Sequence, residues 1–126
     1  MINDQTQNRK FDLEDRTLNF AKRIIKLCQL LDNNIVNSKL IDQMVRSGGS
    51  VGANYREAND ALGKKDFTHR LRISRKETKE TIFWLELLLE SNPNQKSEIN
   101  LLINEGIEIR NILSAIIRKI ETKNVW

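Results

Sequence analysis

The sequence predicts an all-α protein folded as an antiparallel, up-down-up-down four-helix bundle. Three observations carry that prediction. Apolar residues recur at helical spacing along four segments of the 126-residue chain. Only one proline and five glycines interrupt it. The segments between the helices are only a few residues long, so consecutive helices must lie side by side and run in opposite directions.

The first ten residues, MINDQTQNRK, hold little that a core could bury, and they read as a flexible tail ahead of a single bundle domain over 11–126. Asp12, with Glu14 and Asp15 behind it, gives an N-cap and a negatively charged first turn. The stripe Leu13, Phe20, Ile24, Leu27, Leu31 then predicts a first helix over about 12–32. Asp32-Asn33-Asn34 ends it, and Ser38 is the expected cap of the second.

The second helix carries Leu40, Met44, Gly48, Val51, Tyr55, Ala58 and Leu62 on one stripe, through SGGSVGAN. Three glycines there cost about 1 kcal/mol each against alanine. The stripes on either side stay in phase only if no residue is looped out, which predicts one continuous helix. Gly63 fits the position just past a helix end, and Asp66 fits the cap of a third helix over about 66–91. That helix has the stripe Phe67, Leu71, Ser74, Thr78, Ile82, Leu85, Leu89, and Pro93 stands just beyond it. Ser97 and Glu98 open a fourth helix to about 121, with Ile99, Leu102, Ile103, Ile107, Leu113, Ile117 and Ile120 facing inward.

Composition argues against several functions. One His and one Cys fall short of a zinc site, and Glu-x-x-His pairs of a di-iron bundle are missing. Cys28 reads as a small buried hydrophobe and His69 as a surface or interface residue. The glycines at 48–52 lack the Lys-Ser/Thr of a phosphate-binding loop. No enzyme activity, cofactor, metal or small-molecule substrate is therefore expected. Apolar runs such as Leu87-Leu88-Leu89 are far shorter than the roughly 18 residues of a membrane span. A lone cysteine and a start without a secretory signal predict a cytoplasmic protein.

Charge placement is more telling than the net value of +4. Between Lys64 and Glu80 lie seven Lys or Arg and three acids, and the remaining charges balance. Arg72, Arg75, Lys76 and Lys79 form a ladder at i, i+3, i+4, i+7, extended by Lys64 and Lys65. Such a stripe suits a phosphate backbone, and predicts salt-dependent binding of RNA or another nucleic acid. With no aromatic interleaved, sequence specificity is not implied. The competing readings are a solvated face and a surface for an acidic protein partner.

Two further faces stand apart from the core stripes. Arg46, Ser50, Asn54 and Glu57 share one side of the second helix, with Ala53 among them. Ile73, Glu77, Glu80, Trp84 and Leu87 share one side of the third. An aromatic beside arginine and carboxylates is the composition of an interface, with Arg46 or Arg56 paired to Glu77 or Glu80. The face predicts a homo-oligomer. The alternative is that Trp84 merely widens the core stripe and the charges are solvated.

The stretch RSGGSVGANYREANDALGKKDFTHRLRISRKETKETIFWLELLLE, from Arg46 to Glu90, resembles the bacterial four-helix-bundle family of proteins encoded within intervening sequences of 23S ribosomal RNA. The resemblance rests on Arg46-Ser47 ahead of Ser50, on Asn54 to Glu57, on Lys64-Lys65-Asp66-Phe67, and on Glu80 with Trp84-Leu85. It implies a non-enzymatic bundle that assembles as a homopentamer. It also implies kinship with the accessory protein of diversity-generating retroelements, which associates with nucleic acid and a reverse transcriptase. Arg46, Ser50, Asn54, Glu57 and Glu80 match the family's polar positions. The chain departs from it where many members read Asn-Ile-Ala-Glu-Gly and this one reads Asn54-Tyr55-Arg56-Glu57-Ala58. Arg75-Lys76-Glu77-Thr78-Lys79-Glu80 likewise replaces a Gly-Ser-Leu-x-Glu pattern.

Overall fold

The computed structural model describes residues 5–123, with side chains from Leu13 to Thr122. Four helices follow one another: α1 (Gln5–Leu30), α2 (Ile35–Asn59), α3 (Lys64–Ser91) and α4 (Lys96–Lys123), with a 3-10 turn at Pro93–Gln95 before the last. Each packs on two neighbours, α1 on α2, α2 on α3, α3 on α4 and α4 on α1, which closes the bundle. No helix among the described residues is long and apolar enough to cross a membrane.

Leu13, Phe20, Ile24 and Leu27 of α1 meet Met44, Val51 and Tyr55 of α2, with Leu71, Leu85 and Leu88 of α3, in one core cluster. Ile99, Leu102, Ile109, Leu113, Ile117 and Ile120 complete it from α4. Ile109 rather than Ile107 is the fully buried residue of that turn, at i+7 from Leu102 and i−4 from Leu113 on the buried stripe.

The helix ends depart from expectation in instructive ways. α1 begins at Gln5, upstream of Asp12, since Gln, Arg and Lys are good helix formers and no Gly or Pro intervenes. Asp12 is thus inside the helix and caps nothing; the first four residues of the expected tail lie outside the described residues. Asn34, not Ser38, caps α2, its side chain accepting from the Asn37 N–H at 2.9 Å. α2 ends at Asn59, which leaves Leu62 97% exposed and off the core. Gly63 is the N-cap of α3 rather than the end of α2, in extended backbone. Asp66 therefore sits in the first turn, where its carboxylate accepts from the Leu62 N–H at 3.4 Å.

α2 is continuous through its glycines, and two of them explain why. A methyl group at Gly48 would lie 2.6 Å from Ile24 Cδ1, and one at Gly52 would lie 2.9 Å from Thr17 Oγ1. Their absence lets α1 approach, which offsets their low helix propensity. On the other side, small polar residues seat α3 against α2: Ser74 donates to the Val51 carbonyl at 2.7 Å and Thr81 to Ser47 Oγ at 2.8 Å. That seam ends in a reciprocal amide pair. Asn37 Nδ2 donates to Asn92 Oδ1 at 2.9 Å while Asn92 Nδ2 donates to Asn37 Oδ1 at 2.8 Å. Both residues are buried, and further bonds to the Asp32 and Leu88 carbonyls leave their amides fully engaged.

Candidate nucleic-acid interface

α3 presents its charges on two flanks. On the side facing α2, Arg46 reaches across, Nη1 to Glu77 at 3.3 Å and Nη2 to Glu80 at 3.1 Å. The ion pairs expected of an interface thus form within one chain. Asn54 turns its amide onto the Ser50 carbonyl at 2.9 Å, and Ile73 is half-buried. Glu57 and Arg56 remain exposed. Trp84 packs against the core, as the widened-stripe alternative holds, yet its buried Nε1–H has no hydrogen-bond partner among the described residues.

On the side facing α4 runs the cationic ladder. Arg72, Arg75, Lys76 and Lys79 line one open groove of about 410 Å³, with Glu80 and Phe83. Arg72 pairs with Glu121 of α4, and Arg75 Nη1 donates to Ser114 Oγ at 3.4 Å. Lys76 and Lys79 are exposed and make no ion pair among the described residues. Lys65 is exposed near the start of the helix. Lys64 is half-buried, and on the helix it falls about 20° around from Arg75, as Lys65 falls about 20° from Arg72.

Phe83 is the residue that pattern reading missed. It stands four residues beyond Lys79 and seven beyond Lys76, so it continues the ladder's own spacing. Its neighbours Ile82, Trp84 and Leu85 mask this in the sequence, but the side chain is 52% exposed and shares the groove with the cations. The expectation of a stripe without an aromatic is corrected accordingly. The Phe83 and Trp84 rings meet edge to face, with centroids 5.2 Å apart and planes at 67°.

The arginines of a second cationic groove are matched within the chain. Arg16, Lys22, Arg23 and Lys26 line that groove, between α1 and α4. There Arg16 binds Glu105 at 2.7 Å and Glu108 at 3.2 Å, and Arg23 binds Glu98 at 3.4 Å. The Glu105 bonds hold Arg16 firmly protonated against the cost of its burial. The groove on α3 is lined by one carboxylate, Glu80, which is paired with Arg46, and a second, Glu121 of α4, is paired with Arg72.

Catalytic chemistry finds little to work with. Burial pushes the Cys28 thiol up to about 11, so at neutral pH it is a thiol and not a nucleophilic thiolate. His69 is exposed on α3. Among the described residues no group of three or more His, Cys, Asp and Glu side chains is placed to hold a metal ion.

Fold and groove together define a four-helix bundle with a cationic groove along α3. The chain belongs to the 23S rRNA-intervening sequence protein family, whose model matches residues 9–115. It is similar to a crystal structure of a protein of unknown function from the S23 ribosomal protein family of Bacteroides thetaiotaomicron VPI-5482. The two are 36% identical over 86% of this chain and 97% of that one, with a TM-score of 0.76. No curated protein matches the chain.

Proposed function

We propose that this protein is a non-catalytic, self-associating cytoplasmic bundle that binds RNA or another nucleic acid along the α4-facing flank of α3. One observation carries the reading: four cations line a single open groove whose one acid from the same helix, Glu80, is already paired with Arg46. Lys76 and Lys79 are left to meet phosphates, and Arg72 and Arg75 have only Glu121 and Ser114 to give up. The family's association with 23S rRNA genes supports the same direction.

Self-association rests on the face of Arg46, Ser50, Asn54, Glu57, Ile73, Glu77, Glu80 and Trp84, with a pentamer suggested by the family resemblance. Because Arg46 already satisfies Glu77 and Glu80, its outward part is the exposed Glu57 with neighbouring Arg56. Sedimentation of the parent and of Glu57→Lys tests this: the parent sediments as an oligomer and the variant dissociates. A monomeric parent at tens of micromolar ends the idea.

For nucleic acid, the test is titration of single-stranded and duplex RNA over several salt concentrations. Replacing Arg72, Arg75 and Lys79 by Gln weakens binding, and the slope of log affinity against log salt falls by roughly 0.7 to 0.9 for each phosphate no longer neutralised. If the parent binds neither RNA at low salt, the stripe is only a solvated face, and the reading of the protein as a protein-binding adaptor moves ahead.

A further inference from the structure

The groove contains a feature that phosphate binding alone does not use. Phe83 is 52% exposed at the end of a row of cations, although large aromatics are ordinarily covered. Its ring is not loose: the edge-to-face packing at 5.2 Å sets it against Trp84, which is itself packed on the core. From Arg72 to Phe83 the helix advances about 16 Å. At the stacked spacing of about 3.4 Å per nucleotide of one strand, that corresponds to four or five nucleotides.

We infer that Phe83 is a stacking platform for an unpaired base, which makes the α3 groove selective for single-stranded over duplex nucleic acid. The inference rests on the nucleic-acid reading above. Its physical basis is the division of labour between backbone and base. Lys76, Lys79 and the two arginines hold phosphates of either form, since charge attraction is indifferent to pairing. An aromatic beside the phosphate track gains only from a base whose face is free, and in a duplex both faces are already stacked. Stacking is tolerant of base identity, so the selectivity is for strandedness and not for sequence.

The chain also carries its own reporter. It has two tryptophans, and Trp126→Phe leaves Trp84 alone, in contact with the proposed platform. A base arriving on Phe83 changes Trp84 emission, whereas phosphates bound at Arg72 and Arg75, two turns or more away along α3, do not.

The experiment uses the full chain carrying Trp126→Phe, titrated with a mixed-sequence single-stranded RNA of about ten nucleotides and with a duplex of similar length. Phe83→Ala lowers single-strand affinity by about 5- to 100-fold, leaves the salt slope unchanged and alters duplex affinity by less than about twofold. Phe83→Leu, which keeps apolar bulk without a π face, behaves like Phe83→Ala; Phe83→Tyr retains the parent affinity. Thermal melting confirms that each variant is folded. Equal single-strand affinity in parent and Phe83→Ala overturns the platform, as does an equal loss on duplex. The two proposals fail separately. A parent that binds no nucleic acid removes both, while a parent with a steep salt slope and an inert Phe83 removes this one alone.

Discussion

The two flanks of α3 are both polar and behave as opposites. Toward α2, every charge and hydroxyl is answered within the chain: Glu77 and Glu80 by Arg46, Ser74 by the Val51 carbonyl, Thr81 by Ser47, and Asn92 at the helix end by Asn37. Toward α4, four cations have only Glu121 and the Ser114 hydroxyl to answer them, the Glu80 carboxylate beside them being already paired with Arg46. A polar group answered internally contributes to stability and has little left for a partner. One left unanswered contributes nothing to the fold and is available for binding. The difference separates the two roles along a single helix.

The largest expected effect lies at the closed end of the α2 seam. Asn37→Ala or Asn92→Ala leaves the surviving amide buried with part of its hydrogen bonding gone, and opens a small void. Each costs about 2 to 4 kcal/mol by chemical denaturation. The double variant costs less than the two singles together, because the second change removes the group that the first left unpaired. Additive losses would mean that the amides act separately and that the seam is less closed than its bond lengths indicate.

An intermediate effect is expected at Arg46. Its side chain is 51% exposed, so solvent screens the pair, yet Glu77 is only 13% exposed and is left without its partner when Arg46 is truncated. Arg46→Ala therefore destabilises by about 0.5 to 1.5 kcal/mol, more than a free surface charge would. Glu77→Gln in the Arg46→Ala background recovers part of the loss by removing the unpaired charge. Arg46→Ala also weakens RNA binding modestly, because Glu80 lines the groove and loses the cation that neutralises it, which titration of the same RNA checks.

Much of this architecture was legible in the sequence, and the rest was hidden for physical reasons. Periodicity gave four helices, their order and most of the core, because burial on one stripe leaves a 3.6-residue signature whatever the partner helix is. Continuity through Gly48, Gly49 and Gly52 followed from phase alone. Helix ends were less legible. Asn34 and Ser38 are both competent caps, and only the buried Asn37–Asn92 pair fixes which is used. Gly63 suits the end of one helix or the start of the next, and the choice depends on where α2 stops. At the candidate site the ladder was visible as spacing, but its matching was not. That Arg46 belongs to Glu77 and Glu80, or Arg72 to Glu121, depends on which helices become neighbours and in what register. Phe83 was hidden because a hydrophobic residue beside Trp84 reads as core until its exposure is known.

The smallest expected effect on stability is the sharpest test of the comparison. Lys76 and Lys79 make no ion pair among the described residues, and Arg75 has a single long bond to Ser114. Like charges three and four residues apart on a helix repel, at roughly 0.2 to 0.5 kcal/mol per pair, and both spacings occur here, in Lys76–Lys79 and Arg75–Lys79. Replacing Arg75, Lys76 and Lys79 together by Gln thus removes repulsion along with one weak bond, and the stability change stays within about 0.5 kcal/mol, on the favourable side at low salt. Because these charges are exposed, added salt screens the repulsion and erases that small gain. Under the same conditions the variant loses most of its affinity for RNA. A stability loss above about 1 kcal/mol would mean that the cations have partners in the fold after all, and the α4-facing flank would then be a second structural seam rather than a binding surface. An unchanged melting curve alongside a flattened salt slope is the outcome that only a surface reserved for phosphate produces.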